Sequence, residues 1–85
     1  MNADQFLDHL KPVLRRRRQA YGEPEEHFEF VARRWSQILG AKVTPQQVLM
    51  CLLDVKVARL IHDPSNTDSL TDLAGYAALL EELRA

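Results

Sequence analysis

Cysteine is almost missing from this 85-residue chain, which carries only Cys51. An intramolecular disulfide and a multi-cysteine zinc site are thereby excluded, and a reducing compartment is suited. No run of eighteen apolar residues occurs, and residues 1–20 are polar and basic. Neither a membrane span nor a secretory leader is expected, and a cytoplasmic location is. No stretch alternates apolar and polar residues as a half-buried strand does. Charge of one sign is also lacking, since the net charge is −1. That balance is uneven along the chain. Residues 1–20 hold five Lys/Arg against Asp4 and Asp8, whereas residues 21–85 hold six basic and ten acidic groups.

What is present is helical periodicity. Asn2 is a good N-cap with Gln5 completing a capping box, and Phe6, Leu7, Leu10, Val13 and Leu14 form an apolar stripe. Pro12 interrupts that stripe, so a kink or fresh start is expected near Leu10–Lys11. Gly22 closes the segment. Pro24 opens a second helix, Glu25 and Glu26 complement its dipole, and Phe28, Val31, Ala32, Trp35, Ile38 and Leu39 share a face before Gly40. Phe28 and Trp35 are expected in the core. Thr44-Pro45-Gln46-Gln47 is the strongest start signal, for a helix running to about His62. Thr67 or Asp68 is expected to cap a fourth. The fold class predicted is all-α: one domain, 1–85, a compact bundle of about four short helices. Within it, 1–20 is a basic N-terminal helix.

Eleven of the fourteen residues from Val48 to Ile61 are apolar and surround the third helix. A helix without a polar face is buried by its neighbours or by a second subunit. One core in 85 residues is thin, so a homo-oligomer is expected. Cys51 falls in this run and reads as a small core hydrophobe. Arg59 projects into the apolar sector with Lys56 beside it. They form either a structural ion pair with acids on other helices or a phosphate site, Arg59 supplying a planar fork and Lys56 a point charge.

Asp68, Asp72 and Tyr76 are spaced i, i+4, i+8 along the fourth helix. Glu25 and Glu29 share a line on the second, while Glu26 points outward with Arg33. Asp68 with Asp72, and Glu25 with Glu29, are candidate ligands for Mg²⁺, the cation suited to all-oxygen donors. The plainer alternatives are capping, dipole complement and ion pairing. Tyr21 and Tyr76 are candidates for stacking on a base. Arg15, Arg16, Arg17 and Arg18 sweep round the first helix and read as a solvated end, with a nucleic-acid or phosphate contact as the functional rival and an acidic protein partner fitting as well. Their lack of interleaved aromatics argues against direct DNA or RNA binding. His9, His27 and His62 have no ligand spacing.

Two longer patterns carry a resemblance. Tyr21-Gly22-Glu23-Pro24-Glu25-Glu26-His27-Phe28, followed by Trp35 and Val43-Thr44-Pro45, resembles the "YGDPxxNF…W…ITP" opening of a small phage- and prophage-encoded helical family. Lys56-Val57-Ala58-Arg59-Leu60 and Asp68-Ser69-Leu70-Thr71-Asp72-Leu73-Ala74-Gly75-Tyr76-Ala77 are similar to its second half, "KxARL…DSWxDxAGYAA", with Leu70 in place of Trp. The likeness spans about residues 21–80. The family looks like phage domains associated with nucleotide modification and, more distantly, MazG-type all-α nucleotide pyrophosphohydrolases. MazG-type enzymes hold Mg²⁺ on a nucleoside triphosphate with ExxE and ExxD elements. Here Glu26-His27-Phe28-Glu29 satisfies the first, and Asp68-xxx-Asp72 replaces the second. The resemblance implies a protein of the host cytoplasm that binds a nucleotide or phosphorylated small molecule, with Mg-dependent hydrolysis as its enzymatic form. The alternative is a non-enzymatic antagonist of host defence that sequesters a signalling nucleotide or binds a host protein.

Overall fold

The structure, a computed structural model, describes residues 1–84. Its four helices are α1 (Ala3–Tyr21), α2 (Pro24–Leu39), α3 (Pro45–His62) and α4 (Thr67–Glu82). Each begins where local chemistry satisfies the free N–H groups of a first turn. Asn2 and Gln5 exchange two hydrogen bonds of 2.9 Å, forming the capping box of α1. Thr44 and Gln47 do the same for α3, at 3.1 and 2.9 Å. Pro24 and Pro45 occupy first-turn positions, where a missing N–H costs nothing. Gly22 (φ 81°) and Gly40 (φ 68°) end α1 and α2 with positive φ, and their N–H groups donate to Arg18 and Ser36 carbonyls.

Two local expectations are corrected. The α4 cap is Asn66 rather than Thr67 or Asp68: its side chain accepts from Ser69 N at 2.9 Å. Asp68 therefore lies inside the first turn. Nor does α1 restart at Leu10–Lys11, for the helix continues through Pro12. The carbonyl freed by Pro12 belongs to exposed Asp8, where water can take the lost bond.

Phe28 and Ala32 of α2 and Val48 and Leu49 of α3 make the buried core, with Trp35, Leu52, Tyr76, Leu79, Leu80 and Leu83 packed around it. The α3–α4 hairpin has the most extensive packing, and α2 lies across α3. Only Leu10 of α1 is buried. That helix joins the bundle lightly, mainly against α4.

The apolar girdle of α3 is covered on one side only. Val48 and Leu49 are fully buried, while Met50, Val55 and Ile61 are exposed. Cys51 is exposed too, so it is not a core hydrophobe. Arg59 also lies in solvent instead of inside an apolar sector. The reason is coverage: α2 and α4 shield the Leu49–Lys56 side and leave the Arg59 edge open.

Candidate functional site

Leu10, Leu14 and Arg17 follow one another at i, i+4, i+7 on α1, so Arg17 extends the face that meets α4. On α4, Asp72, Gly75 and Tyr76 stand at i, i+3, i+4 and present one patch in return. Arg17 Nη2 donates to Asp72 Oδ1. The guanidinium carbon lies 5.8 Å from the Tyr76 ring centroid, within cation–π range. Gly75 is what admits the guanidinium: a Cβ there would sit 2.9 Å from Arg17 Nη1. From α3, Lys56 Nζ reaches Asp72 Oδ2 at 3.0 Å. One carboxylate thus receives two cations from two helices.

Burial would raise the Asp72 carboxyl, but hydrogen bonds from Lys56 and Arg17 outweigh it and hold the group below the usual aspartate range. Arg17 Nη1 is buried without a hydrogen-bond partner among the described residues. Beside this socket, Arg18 holds Glu82 Oε1 and Oε2 at 2.7 and 2.8 Å and Glu23 at 2.6 Å. It ties α1 to the end of α4 and to the turn before α2.

Between α1, α2 and α4 lies a cleft of about 420 Å³, floored by Leu52 of α3. Its walls carry Tyr21, His27, Phe28 and Tyr76, and its polar groups include Arg17, Arg18 and Glu82. The Tyr21 and His27 rings are 5.4 Å apart, and His27 meets Phe28 edge-on at 5.0 Å. Such a site suits a flat aromatic ligand bearing an anionic group: ring faces stack, and guanidinium forks take oxyanions in two parallel bonds.

The residues singled out from sequence separate into three places. Tyr21 and Tyr76, with Arg17 and Arg18, line the cleft, but exposed Arg15 and Arg16 do not. Lys56 lies behind the cleft, occupied by Asp72. Arg59, Glu25, Glu29 and Asp68 are exposed and form no ion pair among the described residues. Among those residues, no three His, Cys, Asp or Glu side chains converge on a point where they could hold a metal ion. Sequence reading missed Gly75, His27 and Glu82. For Gly75 the spacing from Asp72 to Tyr76 was the available signal. His27 lies in the first turn of α2 and Glu82 in the last of α4, and neither falls on the apolar stripe that marks its helix's buried face.

Residues 5–84 match the model of a family described as a domain of unknown function, DUF6378. The chain is similar to the Gene 55 protein of Mycobacterium phage L5, with 33% identity over 69 residues, covering 80% of this chain and 44% of the phage protein. It is equally similar to the Gene 55 protein of Mycobacterium phage D29, 33% identical over 67 residues, covering 79% and 44%. The chain thus spans less than half the length of these curated relatives. No solved structure matches it significantly.

Proposed function

The chain belongs to the DUF6378 family, and from the cleft we propose that this small phage-type helical domain binds a nucleotide or a closely related aromatic phosphate between α1, α2 and α4. The observation that carries the reading is the pairing of aromatic walls with guanidinium groups in one cleft of about 420 Å³. That volume is within the range of about 300–1,000 Å³ usual for small-molecule sites. In this reading Tyr21 and Tyr76 contact the base. Arg18 takes the phosphate by exchanging carboxylates for phosphate oxygens, Glu82 leaving Nη2 and Glu23 leaving Nη1, so that the guanidinium fork is presented to the ligand. Arg17 supports the field from behind while its other nitrogen stays on Asp72. The phosphate grip thus moves from Lys56 and Arg59 to α1.

The proposal is for binding, and magnesium enters as an arm of its test. Thermal shift and calorimetry with nucleoside mono-, di- and triphosphates and cyclic nucleotides, with Mg²⁺ or with EDTA, read it directly. Ligand at a hundred times its Kd should stabilise the fold by about 2.7 kcal/mol, a rise of roughly 10–20 °C for a domain of this size. Tyr21→Ala and Arg18→Gln, both at exposed positions, should weaken binding at least tenfold with little effect on unliganded melting. Binding that persists in EDTA without product identifies sequestration, the mode of a host-defence antagonist. Magnesium-dependent release of phosphate or pyrophosphate identifies a hydrolase. A panel with no shift refutes the cleft as a nucleotide site.

A further inference from the structure

The uncovered face of α3 has an internal symmetry. Ala58 stands near the middle of the exposed arc that runs from Met50 round to Arg59. Three residues either side of it are Val55 and Ile61, both exposed aliphatics. Four residues either side are Asp54 and His62, a carboxylate and an imidazole, also exposed. We propose that this face pairs with a second copy of the chain, the two α3 helices antiparallel and Ala58 nearest the two-fold axis.

Antiparallel pairing about Ala58 brings each position to the height of its mirror number. Val55 and Ile61 of the second copy then share a height on the two flanks of the seam, about 60° either side of Ala58, while Asp54 and His62 of the second copy, about 40° off the centre line, come within pairing reach at both ends. A carboxylate accepts from an imidazole N–H whether that ring is neutral or charged. Parallel pairing sets Asp54 against Asp54, a like-charge contact that disfavours it. Alanine at the crossing lets the two backbones approach closely. Burial of Val55 and Ile61, the latter 78% exposed in the single chain, supplies the apolar gain. The face lies about 120° round the helix from Leu52, which floors the cleft, so dimerisation and ligand binding stand independently.

Sedimentation velocity over a concentration series should give twice the monomer mass, and Ala58→Arg should return it to the monomer with helicity and melting of the fold retained. Asp54→Lys should raise the dimer dissociation constant at least tenfold, and adding His62→Glu should restore it. Oxidative cross-linking reads the direction. The two Cys51 residues of an antiparallel pair are separated by about 21 Å along the axis, so native protein should stay un-cross-linked. Ala58→Cys in a Cys51→Ser background should form a covalent dimer. A monomeric mass at every concentration, as expected if a different protein covers this face, overturns the proposal. Ready cross-linking of native Cys51 overturns the antiparallel arrangement.

Discussion

Gly75→Ala offers a sharp test of the arginine socket, because two opposing effects meet at one atom. In a helix interior, alanine is favoured over glycine by about 0.8–1.0 kcal/mol. A Cβ at position 75, however, would stand 2.9 Å from Arg17 Nη1, so the guanidinium must move. It has little freedom to do so, since Nη2 is bonded to Asp72 and Nη1 is enclosed. The side chains of Arg17, Asp72 and Lys56 are 28%, 23% and 14% exposed. Breaking a fully buried pair costs about 3–5 kcal/mol. Residual solvent here reduces the figure to about 2 kcal/mol. Gly75→Ala should thus destabilise the native chain by about 1 kcal/mol. In an Arg17→Ala background nothing obstructs the new methyl, and the same substitution should stabilise by nearly the full helix term. Urea unfolding of the four proteins gives the sign in each background. Stabilisation by Gly75→Ala in native protein, or equal effects in both backgrounds, refutes the socket.

Acid should loosen the same contact. The Asp72 carboxyl is held below its ordinary value, so its contribution is present above pH of about 3.9 and is lost as pH falls through the lower folded value. Urea midpoints measured from pH 6 down to 2 should therefore fall, and Asp72→Asn should flatten that part of the profile while lowering stability at pH 6. Thr44→Ala removes the hydroxyl that accepts from Gln47 N. It should cost about 1 kcal/mol, read as a fall of about 4–8 °C in Tm.

The helix boundaries were legible because their causes are local. Asn2 with Gln5, and Thr44 with Gln47, satisfy N–H groups within a single turn, while Gly22 and Gly40 stop helices through their own φ. Asn66 was passed over because Asn66, Thr67 and Asp68 are all capable caps, and only the bond to Ser69 distinguishes them. The burial of α3 was less legible, and for a physical reason. A pattern apolar on every side has no phase, so nothing in Val48–Ile61 says which side α2 and α4 will cover. Cys51 and Arg59 were misplaced by that ambiguity. Arg17 was hidden differently: four identical side chains stand in a row, and only continuation of the Leu10–Leu14 line marks the third.

Fold and candidate site share components, and this sharing decides which experiments are informative. Light apolar packing leaves α1 the least anchored helix, for Leu10 alone is buried on it. Yet α1 contributes Leu14, Arg17, Arg18 and Tyr21 to the cleft. The cleft therefore exists only while α1 stays docked, and its polar ties to α4 are Arg17 on Asp72 and Arg18 on Glu82. Elements with few buried contacts open at low free energy, so loss of Arg17 or Asp72 would remove a wall of the cleft together with any ligand contact. Weakened binding in those variants cannot be assigned to chemistry at the ligand. Tyr21 and Arg18 differ, because Tyr21 is 65% exposed and ion pairs as exposed as Arg18–Glu82 contribute little to stability. Linkage runs the other way as well: a ligand spanning α1 and α4 binds only the docked form and so secures α1. Arg17 and Asp72 hold the cleft together; Tyr21 and Arg18 are where recognition can be measured apart from folding.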